Sequence, residues 1–166
     1  MDVPQATADL KSSDPALRAK AAEELAHLED AAQPTAVALV VATADEDESV
    51  RQWATAALES LGPPSVQDAA ALAKLLSDAR LDVAYWAATL LGRLGPDAGD
   101  AKNVAALVCA LDGHPGQAVR ERAAWALGQV GPAAAGALPA LQSATSDAQP
   151  RLSRLAKQSI EQISVK

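Results

Sequence analysis

The feature that most constrains this chain is that it aligns with itself. A branched residue or leucine opens five helical stretches, at Leu17, Val50, Val83, Val119 and Leu152, spaced 33, 33, 36 and 33 residues apart. Four residues after each stands an alanine without exception: Ala21, Ala54, Ala87, Ala123 and Ala156. A position held to a methyl side chain in every copy faces a neighbour too close for anything larger. Eight residues after the anchors come Leu25, Leu58, Leu91, Leu127 and Ile160, and eleven after come Leu28, Leu61, Leu94, Val130 and Ile163. Offsets of 0, 4, 8 and 11 trace one face of an α-helix. A fixed period of this length marks supersecondary units that bury their apolar faces only by stacking on one another.

Each such helix, here called A, stops alike at Leu61-Gly62-Pro63, Leu94-Gly95-Pro96 and Val130-Gly131-Pro132. Glycine offers a left-handed cap for the last carbonyls, and proline cannot continue the helix it follows. A second helix, B, is read from Ala36–Ala42, Ala69–Leu76, Val104–Leu111 and Ala137–Leu141, leading to Asp45, Asp78, Asp112 and Asp147. The three extra residues of the 36-residue spacing fall in loops, mostly in Gly113-His114-Pro115-Gly116, so the helices stay intact. Val3 to Lys11 reads as a degenerate B helix and residues 150–164 as a last A helix, which makes ten helices. The expected organisation is a single array over residues 1–166, with a partial helix at 3–11 and repeats at about 12–44, 45–77, 78–112, 113–146 and 147–166. The fold class is all-α, a right-handed α-solenoid of about five helical hairpins, or α-α superhelix.

Composition agrees. Apolar residues make up 49% of the chain, yet Phe is absent and roughly a quarter of the residues are Ala, so the core must come from closely approaching helices. The net charge is −7, and it is uneven: residues 1–68 hold thirteen acids against four bases, residues 69–166 eight against ten. Fourteen basic residues spread over an acidic chain make no phosphate-binding stripe, so nucleic acid is not an expected partner. No apolar run reaches the roughly 18 residues that span a bilayer, and the start of the chain lacks the basic and apolar segments of a signal peptide; the expectation is a cytoplasmic protein without membrane association.

The repeats resemble the bacterial HEAT-repeat family, in the variety called phycobilisome-lyase HEAT-like repeats. The likeness is clearest in Val50-Arg51-Gln52-Trp53-Ala54 through Leu61-Gly62-Pro63 and in Val119-Arg120-Glu121-Arg122-Ala123-Ala124-Trp125-Ala126-Leu127-Gly128, and it covers about residues 12–164. It implies a solenoid whose B helices line the concave side and hold another protein. It also implies an Asp–Arg pairing, with Arg18, Arg51 and Arg120 beside their anchors and Asp45, Asp78, Asp112 and Asp147 at the preceding turns; Ala84 and Ser153 interrupt that column.

Chemistry finds little foothold. His27 and His114 stand in different repeats with no second ligand at metal spacing, so no metal or other cofactor is expected. Cys109 lies in the apolar run Val104–Leu111 and reads as a buried thiol; His114, five residues on across a helix end, makes a poor base for it. No glycine-rich phosphate loop precedes a Lys-Ser or Lys-Thr. Trp53, Trp86 and Trp125, with Tyr85, read either as fillers between alanine-rich helices or as an aromatic anchor patch for a partner or pigment. The acidic run Asp45-Glu46-Asp47-Glu48 places negative charge at a helix N-terminus, and Arg151, Arg154 and Lys157 share one flank of the last helix. That helix presents Leu152, Leu155, Ile160 and Ile163 with no B helix after it, an end expected to self-associate or to be covered by further chain. The leading expectation is therefore a non-enzymatic scaffold that binds another protein on its B-helix face through Gln67, Lys74, Lys102 and Gln142. The alternative, implied by the resemblance, is a subunit of a tetrapyrrole lyase or a chromophore-handling chaperone.

Overall fold

A computed structural model describes residues 2–165. Among them are ten α-helices, four 3-10 segments and no strand. The A helices are α2 (Pro15–His27), α4 (Glu48–Ser60), α6 (Leu81–Leu94), α8 (Gln117–Val130) and α10 (Pro150–Ser164). The B helices are α1 (Val3–Asp9), α3 (Ala36–Ala42), α5 (Ala69–Leu75), α7 (Ala101–Gly113) and α9 (Leu138–Ala144). Helices begin where the chain supplies acceptors for their free amides: Asp14 accepts from the Ala16 N–H, Asp47 from Ser49 and Val50, and Asp100 from Lys102. Each such cap is worth about 1 kcal/mol. Pro15 and Pro150 occupy first turns, where a missing N–H costs nothing.

The contacts group the chain into two compact units, one up to Asp68 and one from Ala69. In the first, α2 packs on α4 while α1 and α3 lie against α2 and α4 respectively. In the second, α6, α8 and α10 form one layer and α5, α7 and α9 another, with each B helix laid against a neighbouring A helix. The alanine column is fully shielded in both: Ala21, Ala54, Ala87, Ala123 and Ala156 expose nothing to solvent. The anchors Val50, Val83, Val119 and Leu152 are buried as the period predicts, but Leu17 is 44% exposed. Arg18 turns inward in its place, because its guanidinium is tied to Asp45.

The ends of the A helices differ from the expected left-handed caps. Gly95 (φ 58°, ψ −133°) and Gly131 (φ 70°, ψ −144°) do take positive φ, but with ψ in the mirror image of the extended region, which is open to glycine almost alone. Gly62 does not; its amide donates to Asp30 Oδ1 at 2.9 Å, and a Cβ there would stand 2.8 Å from the same oxygen. The first A helix turns instead at Glu29, whose φ of 47° is the one positive value at a non-glycine residue among those described.

Candidate interaction surface

On the B side of the second unit, α5 and α7 leave an open groove of about 400 Å³ between their C-terminal halves. Apart from Leu76, its walls are small: Ala73 and Ser77 from α5 and the following turn, and Ala106, Cys109, Ala110 and Gly113 from α7. The groove exists because α7 buries Val104, Leu107 and Leu111 toward the A layer, which leaves Ala106 and Cys109 on its outer side. Cys109 is therefore exposed, not a buried core thiol as its apolar run suggests. His114 closes one end. Its Nδ1 accepts the Gly116 N–H at 3.0 Å and its Nε2 lies 3.3 Å from the Asp78 carbonyl, so the ring clamps the inserted loop. That pair of contacts fits a neutral imidazole protonated on Nε2.

Gln67, Lys74, Lys102 and Gln142 are all exposed. Gln67 stands in the 3-10 segment Val66–Asp68 of the first unit, while Lys74, Lys102 and Gln142 stand on α5, α7 and α9 of the second. None of the four lines the groove, although Lys74 directly follows Ala73 and Lys102 sits in the first turn of the helix that forms one wall. What sequence reasoning missed was the set of small side chains, whose only signal was the alanine richness of the B stretches.

The charged pairs follow a modified pattern. Arg18 reaches the Asp45 carboxylate with Nε at 2.8 Å and Nη2 at 2.9 Å, and Arg120 reaches Asp147 at 2.8 Å; each arginine pairs with the turn after its own hairpin, not the preceding one. Arg51 donates to the carbonyls of Asp45 and Glu46, and the Asp78 carboxylate is taken by Arg80 at 2.7 Å. Burial pushes the Asp45 carboxyl up, but the Arg18 and Asp47 hydrogen bonds outweigh it and hold the group below the usual carboxylate range. Asp147 is lowered by the Gln149 amide and Arg120, and Asp78 by Arg80, whereas burial raises Asp68. These residues stitch turns to helices.

The aromatic residues do not form one patch. Trp53 is half-buried in the first unit with its ring 5.8 Å from His27. Trp86 is buried in the second, edge-on to Tyr85, with the Arg93 guanidinium 5.8 Å from its ring. Trp125 lies across α6 at Gly92, where any Cβ would land on its ring. Among the described residues no group of three or more His, Cys, Asp or Glu could hold a metal ion, and no helix is long and apolar enough to cross a membrane.

The sequence model for HEAT repeats matches residues 3–78 and again residues 69–161, which together take in nearly the whole chain. The chain belongs to the HEAT-repeat family. Comparison with the curated proteins gives no match. Among solved structures, a chain of the CpcE–CpcF complex of phycocyanin lyase from Nostoc sp. PCC7120 is 26% identical, with a TM-score of 0.67 over 99% of this chain and 65% of that one. An engineered protein is 22% identical, with a TM-score of 0.66 over 97% of this chain and 78% of that one. A designed armadillo repeat protein in complex with the peptide (KR)4 is 20% identical, with a TM-score of 0.66 over 98% and 82%. These neighbours are helical-repeat proteins, and the HEAT hairpins described above have the same all-α solenoid architecture. HEAT repeats of this kind typically serve as protein-interaction scaffolds.

Proposed function

We propose that this chain is a non-enzymatic scaffold whose protein partner lies along the B-helix side. The groove between α5 and α7 carries the proposal: walls of Ala, Ser, Cys and Gly let a helix or extended segment approach the backbone closely. Lys74 and Lys102 flank it and, with Gln142 on α9, supply polar contacts on the B helices; Gln67, in the 3-10 segment of the other unit, is proposed as a separate polar contact. Affinity on such a surface comes from area and fit more than from any single contact. The armadillo design holding a peptide supports a peptide-binding use of the architecture.

Site-specific photo-crosslinking tests this. Cys109 is the one cysteine of the chain, so a maleimide photoprobe attached there sits in the groove. In native extract it should capture one discrete partner, and Lys74→Glu with Lys102→Glu should abolish that adduct without lowering the melting temperature. Adducts obtained only from a cysteine placed on the A-helix side, in a Cys109→Ala background, would overturn the B-side reading.

A second reading, a subunit of a tetrapyrrole lyase or chromophore-handling chaperone, is favoured by the likeness to the CpcE–CpcF complex. Adding a bilin or haem should then shift its absorbance band; an unaltered spectrum in saturating protein removes this reading and leaves the scaffold.

A further inference from the structure

The A-helix side of the second unit holds a different kind of surface. A cavity of about 300 Å³ opens among α6, α8 and α10, lined by Tyr85, Glu121, Arg122, Trp125, Arg151 and Leu155. Arg122 is its centre. The guanidinium carbon stands 4.7 Å from the Tyr85 ring centroid and 5.0 Å from that of Trp125, and one N–H donates to the Tyr85 hydroxyl. Two rings and a hydrogen bond hold this arginine in place before any ligand arrives, so little side-chain entropy is lost on binding. No carboxylate of the described residues forms an ion pair with it. The carboxylate that also lines the cavity, Glu121, is already bound to Arg151 at 3.2 Å and to the Gln117 side chain at 3.2 Å. Aromatic rings and arginine are the residue types that dominate binding energy at protein interfaces. Two of the chain's four Trp and Tyr residues line this cavity.

We propose that this cavity docks an acidic segment of a partner protein, with a glutamate or aspartate side chain inserted against Arg122. Charge complementarity selects the occupant. Arg122 and Arg151 give the cavity one more cation than anion, and the exposed Arg154 and Lys157 on α10 extend the positive field along one flank. The unit that holds it carries a net positive charge, eight acids against ten bases, although the chain as a whole is at −7. Screening over about 8 Å at physiological salt confines the repulsion from the acidic residues elsewhere. The walls of Tyr85, Trp125 and Leu155 then reward an apolar residue next to the inserted carboxylate. This surface lies on the opposite helix class from the groove, so its test reads out independently of the scaffold's B-side partner.

The test is titration of the full chain with an octaglutamate peptide, an octalysine peptide and inorganic phosphate, read by the Trp125 indole N–H shift in NMR. Octaglutamate should bind saturably, more weakly as salt rises, and should move the Trp125 signal; octalysine should not. Arg122→Gln should weaken binding about tenfold, and Arg122→Lys should restore only part of it, since an ammonium lacks the planar fork. Arg151→Gln, at a side chain 68% exposed, should weaken binding severalfold, and Arg154→Gln should matter less. Four results would each overturn the proposal: no Trp125 shift at millimolar octaglutamate, unchanged affinity in both the Arg122→Gln and Arg151→Gln variants, phosphate binding as tightly as the peptide, or self-association that Arg122→Gln abolishes in place of peptide binding. The last would give the cavity to a second copy of the chain.

Discussion

In the unit up to Asp68, the first A helix ends at Glu29 with φ 47°, a side chain forced into backbone space that favours glycine. In the unit from Ala69, glycine holds both equivalent positions, Gly95 and Gly131, at φ 58° and 70°. A related contrast stands nine residues past the first four anchors: Ala26 and Glu59 in the first unit, Gly92 and Gly128 in the second, while the last A helix, with no A helix after it among the described residues, has Glu161. There Gly92 receives the Trp125 ring and Gly128 receives Ser159, whose hydroxyl crosses from α10 to the Ala124 carbonyl at 2.7 Å. The first unit also carries most of the negative charge, thirteen acids against four bases. One module is thus built to two standards, a strained and acidic version and a tightly nested one.

That contrast can be broken in several ways. Gly92→Val should cost about 3 kcal/mol by overpacking against Trp125, whereas Ala26→Val at the same register should cost less than about 1 kcal/mol, because Ala26 is half-exposed. Urea unfolding of the two variants measures both, and equal costs would erase the distinction. At the helix ends, Gly131→Ala should destabilise by about 2 kcal/mol, and the reciprocal Glu29→Gly should stabilise by about 1 kcal/mol, in the same assay.

Acid should separate the units next. The lowered carboxyls Asp78 and Asp147 contribute stability that is present above the ordinary carboxylate range near 4 and is lost as pH falls through their folded values. In the first unit Asp45 acts the same way, but Asp68 is raised, so its folded state favours the protonated form and gains as pH falls, offsetting part of the loss. Below about pH 4, fluorescence from Trp86 and Trp125 should therefore change before that from Trp53 in single-tryptophan variants. The smallest effect is ionic: raising salt should slow amide exchange in the acidic first unit by relieving like-charge repulsion, and should alter the second little.

Much of this architecture was legible in the sequence, because the repeat reports helix faces directly. Helix α3 spans Ala36–Ala42 and α10 spans residues 150–164, as the periodicity predicts. Where the period carried no phase, reading failed. The run Val104–Leu111 is apolar on every side, so it could not say that Leu107 faces in and Cys109 out. Leu17 matched its column, yet the pull of Asp45 on Arg18 decided which residue turned inward. The absence of glycine at position 29 could have announced a strained turn, since the next three repeats supply it at Gly62, Gly95 and Gly131. The Arg122 cavity had no such warning, because Tyr85 comes from one repeat and Arg122 and Trp125 from the next, all three at different registers, and only the stacking of α6 on α8 brings them together.

The paired glycines also act as a gauge. A hydrogen at position nine of a repeat lets the next A helix settle onto the backbone, while a methyl or a longer side chain holds it off by the thickness of its own atoms. Layer-to-layer distance is then written one residue at a time. A designer could widen or tighten a chosen joint of such an array by editing that single register, leaving every helix, turn and ion pair as it stands.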